Sequence, residues 1–441
     1  MMRSNAEVVI VGAGPAGSAT ALLLARAGRD VLLLDRCPFP RPKPCGDCLS
    51  IGATALLDRL GILHRVVAGP HARVRGWRIV APNGSAFDAL FSGLAPEIPI
   101  TQREIRPEHG EHASEADWSP GADDSCSASR DCACALAVER GVLDAALLDA
   151  ALAAGARFEQ CAVTDVERDA GGRVRGVRSR DGIRMAPITV GADGLRSIIA
   201  RRLGACTRPG YLRKLSLTFH APVERVSALG EMHVGDGICV GIAPVAGDRC
   251  NVTLVADSLR FGRDVAADPH AFARAALDTL PRVRGRLSDA ALSVAAPLAS
   301  GPFDRPMRQV AFDGAVLAGD AAGYYDPFTG QGVYQALASA FLIAPCIDDA
   351  LRRDDARAFM FSSYVRARAA LVRGPRLVQH GIEAVLSRPR LANHAIGRIR
   401  DATPFARAIL AVTGDIRPAR TLLSPLALAS LIFRSRPENA A

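Results

Sequence analysis

An α/β fold, α+β overall, is what this 441-residue chain predicts: a Rossmann-type parallel sheet, an inserted antiparallel sheet, and a helical carboxy-terminal region. Three observations carry that expectation. Glu7 to Asp35 reads EVVIVGAGPAGSATALLLARAGRDVLLLD, a strand, glycine turn, helix and second strand ending in an acid. Strand-like alternation returns in mid-chain, between Leu215 and Ala256. After Asp354 the pattern is helical.

Taken in order, Val8 to Val11 is an unbroken apolar run, as a strand buried on both faces requires. Gly12, Gly14 and Gly17 then occupy the G-x-G-x-x-G positions. The first permits a tight turn, the second lets backbone approach a pyrophosphate, and the third lets helix and strand pack closely. Pro15 and Ala16 lead into a helix predicted to run to Ala27 and to stop at Gly28. Its free N–H groups and dipole favour negative charge, so the pyrophosphate belongs there. Val31 to Leu34 is the second strand, and Asp35 at its end is placed to accept from an adenosine ribose.

Cys37 to Ser50 is proline-rich, with prolines at 38, 40, 42 and 44, and cannot be helical. Arg73 to Ala89 alternates around Pro82-Asn83-Gly84, a hairpin signal. Pro107 to Arg130 is polar and reads as a mobile surface insertion. Leu143 to Ala154 is helical, while Arg157 to Val166 and Val174 to Arg180 resemble a short sheet. Leu215 to Val223, Ile238 to Ile242 and Asn251 to Ala256 supply the second, antiparallel sheet. Ala315 to Ala318 is one more buried strand, followed by a helix from Gly332 to Cys346. The helices beyond are expected to break at Pro375, Pro389 and Pro404.

With 49% hydrophobic residues the chain has ample material for a large core. No stretch approaches the ~20 apolar residues that span a bilayer, and the amino terminus enters the first strand without a cleavable leader, so a cytoplasmic location is expected. The eleven cysteines are odd in number and scattered, which suits reduced thiols. The net charge of +9 is almost all arginine, with lysine only at Lys43 and Lys214. Without a recognition motif or interleaved aromatics it does not point to nucleic acid. Arginines cluster after Arg352 and an apolar stretch, Leu426 to Phe433, follows; solvated helical faces are the plain explanation, and weak peripheral contact with anionic lipid is the alternative.

Val316 to Gly332 reads VLAGDAAGYYDPFTGQG: a strand, Gly319-Asp320, then Pro327-x-x-Gly330-x-Gly332 opening a helix. The acid can accept from sugar hydroxyls, and the helix start offers donors and a positive dipole end suited to a reduced flavin. Between these motifs lies Asp193-Gly194, at the end of a third apolar segment. Jointly, in this order and spacing, the three resemble the flavoprotein superfamily of para-hydroxybenzoate hydroxylase and geranylgeranyl reductase. The resemblance implies FAD, a glutathione-reductase-like FAD domain, and a substrate domain whose sheet roofs the flavin, with NAD(P)H or a separate reductase as electron donor. It further implies that Gly12, Gly14, Pro15, Ala16 and Gly17 hold the pyrophosphate, Asp35 the ribose, and Gly319 and Asp320 the ribityl chain, with Arg36 beside the adenine. Pro327, Gly330 and Gly332 would face the ring. Arg140 resembles the family arginine that touches FAD, a surface ion pair being the competing explanation, and Asp193 orders the loop around the nucleotide.

On this resemblance the FAD domain takes residues 1–70, 136–205 and 306–350. The substrate domain takes 71–135 and 206–305, with the insertion at 107–130, and 351–441 is the helical region. The loop Arg41-Pro-Lys-Pro-Cys-Gly-Asp-Cys-Leu-Ser is similar to the geranylgeranyl reductase branch, whose cysteine-glycine loop sits over the flavin, making Cys45 the candidate catalytic residue. The aromatic element of prenyl reductases and flavin halogenases is missing from Ile238 to Pro244, which lowers halogenation.

The favoured activity is NAD(P)H-dependent hydroxylation of a hydrophobic aromatic or polyketide-like molecule. The alternative is reduction of isoprenoid double bonds, and the third a flavoprotein without turnover. Cys45 and Cys48 form a C-x-x-C, but a second nicotinamide fingerprint is lacking, so free thiols are expected over a redox disulfide; a zinc site with Cys132 and Cys134 is disfavoured and no metal is expected. His220 and His233 fall on substrate-domain strands and are weighed as pocket acid or base against packing roles.

Overall fold

The computed structural model describes residues 3–94, 134–400 and 402–432, so the insertion expected at 107–130 lies outside the described residues. The buried run Val8–Val11 forms the middle of a six-stranded sheet. Its order is Ala311–Phe312, Ala315–Leu317, Ile188–Gly191, Val8–Val11, Val31–Asp35 and Arg157–Gln160, parallel throughout except at the Ala311–Phe312 edge. The continuously apolar strands suit burial on both faces. The helix Pro15–Arg26 packs beside Arg140–Ala153 and Gly332–Arg352 on this sheet.

From Val8–Val11 the chain steps to Val31–Asp35 on one side, and Ile188–Gly191 joins on the other. Ligands of such sheets bind in the crevice outside the carboxyl ends of the strands at that reversal. Gly12, Asp35, Ala192 and Gly319 stand at or just beyond those ends and share one cavity.

A seven-stranded sheet closes the other side of the crevice. Its order is Leu298–Ser300, Lys214–Pro222, Arg249–Asp257, Ile238–Pro244, Gly230–Val234, Gly76–Val80 and Ala86–Leu90. Neighbours are antiparallel except for Gly230–Val234 with Gly76–Val80. One face buries a core including Leu217, Val240, Val252 and Leu254 under the helix Pro269–Asp278, while the other faces the cavity. The alternation of a half-exposed pattern thus becomes core on one side and ligand wall on the other. The hairpin at Pro82-Asn83-Gly84 forms, with Gly84 in the left-handed region.

The helical region differs from expectation in one respect. Pro389 and Pro404 lie in the first turns of Pro389–Arg400 and Thr403–Thr413, where the missing N–H costs nothing, but Pro375 lies inside the unbroken helix Ser362–Leu386. The Gly332–Arg352 helix, which likewise contains an interior proline at Pro345, continues past the expected end at Cys346. An interior proline costs about 3 kcal/mol. The Ser362–Leu386 helix offsets this with bonds on both sides of the proline: Arg368 Nη2 donates to Gly323 O (3.2 Å), Gln379 Nε2 to Thr329 Oγ1 (2.6 Å), and Tyr325 Oη bonds His380 Nδ1 (2.7 Å). No helix among the described residues is long and apolar enough to cross a membrane.

Candidate active site

A single cavity of about 880 Å³ runs from the Gly12–Gly17 turn to the inner face of the seven-stranded sheet. Gly12, Gly14, Pro15, Ala16, Asp35, Arg36, Cys45, Arg140, Asp193, Gly319, Asp320, Pro327, Gly330 and Gly332 all line it. Gly17 does not; a Cβ there would stand 1.8 Å from Gly12 O, so its role is the close approach of helix to turn. A Cβ on Gly14, by contrast, would meet nothing nearer than the Arg140 and Arg41 Nη2 atoms at 3.9 Å. Open space faced by two guanidinium groups at a helix start is the environment a diphosphate needs.

Three cations converge there, two of which sequence reasoning did not single out. Arg41 Nη2 bonds Asp35 Oδ2 at 3.2 Å, while its buried Nε has no hydrogen-bond partner among the described residues. Burial, with Arg140 and Arg41 beside it, holds the Lys43 ammonium below its ordinary value, and Asp320 only partly opposes this. Arg140 donates to both oxygens of Asp144, at 2.8 and 2.9 Å. Asp144 is fully buried and the Arg140 side chain is only 10% exposed, so the surface ion pair weighed as the competing explanation is not what forms. Burial pushes the Asp320 carboxyl up, and Lys43, Arg140 and Arg368 pull it back. An orphaned guanidinium nitrogen and a desolvated ammonium around the glycine turn fit FAD: Asp35 and Asp320 would take its sugar hydroxyls, and Arg41, Lys43 and Arg140 its phosphates. Asp35 Oδ2 also accepts from Ala13 N (2.9 Å), fixing the turn itself. Asp193 accepts from Ser197 Oγ (2.5 Å) and Ile198 N (2.6 Å), and so orders the segment that starts Ile198–Arg202.

The Cys45 loop is clasped to the opposite sheet. Asp47, buried and in the left-handed region, accepts from Asn251 Nδ2 (2.7 Å), bonds His220 Nε2 (2.6 Å), and accepts from Arg140 N (3.2 Å). Asn251 Nδ2 also reaches Cys45 O at 2.8 Å. These bonds hold the cysteine-glycine loop between the crevice and the seven-stranded sheet. Burial raises the Cys45 thiol above its ordinary value, against the pull of Arg140, so the sulfur stays protonated. His220 is no free acid or base: its bond to Asp47 raises its pKa, against partial burial. Because the folded value lies above about 6.5, the pair's stabilisation is complete below that pH and fades as pH rises through the raised value. An Asp47→Asn variant should lower the His220 titration midpoint in an NMR titration; an unmoved midpoint would contradict the clasp.

The carboxy-terminal region supplies the last wall. Ile382, Ala406, Ile409, Leu410 and Thr413 line the cavity, and Asp415 secures them from behind. Its carboxyl accepts from Ser50 Oγ (2.7 Å) and Gln331 Nε2 (2.6 Å), joining the starts of the Ile51–Arg59 and Gly332–Arg352 helices. Burial drives Asp415 up to about 8, against those two bonds. An unfolded aspartate ionises near 4, so this group contributes full stability only below that pH, and its contribution declines as pH rises to about 8. Asp415→Asn keeps the shape, and its amide can bond both partners. Its melting temperature relative to wild type should therefore climb from about pH 5 to about pH 8; a constant difference would refute the account.

His233 faces away from the cavity. On Gly230–Val234 only Met232 points in, while His233 Nε2 bonds Glu231 Oε2 (2.7 Å) and Arg286 Nη1 donates to the same oxygen (2.6 Å), a buried packing network. Cys45 and Cys48 are free thiols, and among the described residues no cluster could hold a metal. Cys132 lies outside the described residues.

A dinucleotide crevice roofed by a second sheet defines an FAD-dependent oxidoreductase of the para-hydroxybenzoate hydroxylase and geranylgeranyl reductase superfamily. Residues 5–375 match the family described as FAD binding domain, and the chain belongs to it. It is 31% identical over 369 residues to menaquinone reductase of Mycobacterium tuberculosis (strain ATCC 25618 / H37Rv), covering 80% of this chain and 78% of that one. It is 26% identical to digeranylgeranylglycerophospholipid reductase 2 of Methanopyrus kandleri, over 81% of each. A flavoprotein/dehydrogenase from Cytophaga hutchinsonii superposes with a TM-score of 0.73 at 18% identity, over 97% of this chain and 99% of that one, a likeness of fold.

Proposed function

We propose that the chain uses FAD to reduce carbon–carbon double bonds in a hydrophobic, isoprenoid-like substrate. The observation that carries this is the charge distribution of the cavity. Its charged lining residues, such as Asp35, Arg41, Lys43, Arg140 and Asp320, lie on the cofactor side, whereas among the described residues the sheet and carboxy-terminal walls carry none. Trp77, Ile79, Phe87, Met232, Phe328 and Leu410 line that half. Such walls suit an uncharged apolar chain and offer no counter-ion to an aromatic acid. Names among the relatives, menaquinone reductase and digeranylgeranylglycerophospholipid reductase, support the same reading.

Bound FAD supplies the hydride-transfer chemistry, with NAD(P)H or a separate reductase as electron source. The protein's own part is to exclude water with the apolar walls, to hold the loop in place through Asp47, and to present a protonated Cys45 Sγ as proton donor. The deciding experiment supplies reduced holoprotein with a menaquinone or a geranylgeranyl lipid under strict anaerobiosis. Mass spectrometry should show products gaining two hydrogen atoms per reduced bond. Products that require oxygen and gain an oxygen atom would replace this reading with the hydroxylase.

A further inference from the structure

Between Ser362 and Ile432 the only carboxylates in the sequence are Glu383, Asp401 and Asp415, against many arginines. Glu383 is engaged by Lys214 and Asp415 is buried. Arg366, Arg373, Arg388, Arg390, Arg407 and Arg420 are exposed. Leucines sit among them: Leu377 is 64% exposed, Leu423 71% and Leu426 72%, values unusual for side chains of that size.

These residues are brought together by packing. A Cβ on Gly374 would lie 3.0 Å from Ala419 Cβ, so the Ser362–Leu386 helix touches the Ala419–Leu423 turn there. Leu377 is three residues from Gly374 on the same helical face, and Arg373 is four from Leu377. Arg420, Leu423 and Leu426 follow Ala419 directly. The Ala419–Leu423 turn and the Pro425–Ile432 helix both pack on Thr403–Thr413, the helix whose inner residues line the cavity. An apolar ridge flanked by arginines therefore lies one helix away from the apolar half of the site.

We propose that this face docks on a lipid bilayer bearing anionic headgroups, with Leu377, Leu423 and Leu426 inserted at the headgroup boundary and Arg373 and Arg420 on the phosphates. Charge selects the occupant. A second copy meeting this face symmetrically would set arginine against arginine, whereas anionic lipid neutralises it and the acyl boundary accepts the leucines. The inference stands apart from the proposed reaction, since docking requires no turnover.

The test sediments the holoprotein with phosphatidylcholine vesicles, with and without phosphatidylglycerol, at low and high salt. Wild type should pellet with the anionic vesicles and be released by salt. Leu423→Glu with Leu426→Glu, and separately Arg373→Glu with Arg420→Glu, should each lower the partition coefficient by about tenfold or more. Flavin content and melting temperature should stay unchanged, which certifies the fold. The proposal is overturned if wild type remains in the supernatant, if zwitterionic vesicles bind it equally, or if both double variants pellet like wild type.

Discussion

Gly14→Val yields a folded but colourless protein. A Cβ at this position has no atom of the chain within 3.9 Å, so the fold accommodates the side chain, and the melting temperature of the apoprotein should match wild type. The branched methyl groups nevertheless fill the space between the helix start and the Arg41 and Arg140 guanidinium groups, where the proposed diphosphate site would bring the ligand against backbone. Losing that contact and its charge-assisted bonds should weaken FAD at least about a hundredfold, roughly 3 kcal/mol. Gly17→Val fails differently. Its Cβ would overlap Gly12 O at 1.8 Å, pushing helix from strand and costing stability as well as flavin. Visible absorbance after reconstitution with excess FAD, read beside thermal melting, separates the two. Full flavin occupancy in Gly14→Val would remove the diphosphate from this turn and with it the whole assignment of the crevice.

Arg140→Met should be among the most destabilising single changes in the chain. Asp144 has no exposed surface, and Arg140 supplies both of its close bonds; the remaining cation, Arg41 Nη1, is 3.8 Å away. Breaking a buried pair from one side typically costs about 3 to 5 kcal/mol, because the surviving charge stays buried. Arg41 places the expectation near the lower end. The double variant Arg140→Met with Asp144→Leu should regain most of the loss in urea unfolding, while FAD binding stays impaired because the cation over the glycine turn is gone. If the single variant unfolds at the wild-type midpoint, Arg140 is not the partner that keeps Asp144 buried.

The parts of this site legible in the chain are those written over short distances. Gly12, Gly14 and Gly17 are needed by one turn and one helix start, Asp35 by the end of the adjoining strand, and Gly319-Asp320 by another strand end, so local periodicity and backbone sterics announce them. Arg41 and Lys43 sit in a loop whose prolines only say that it is not helical. Their role depends on the loop folding back over the crevice, and nothing within a few residues specifies that.

Asp47 finds Arg140 93, His220 173 and Asn251 204 residues along the chain, and Asp415 finds Ser50 365 residues away. Pro375 reads as a helix break because its local cost is certain, and the tertiary bonds that offset it are invisible in sequence. His220 and His233 occupy similar strand positions, yet sheet register and the Arg286 network turned one toward the Cys45 loop and the other into packing. Hydrophobic period and turn chemistry act on neighbours in sequence and so determine strands, helices and the glycine cradle. Which distant side chains meet across the crevice is settled only when sheets and helices pack, because burial and charge pairing act through space without regard to separation along the chain.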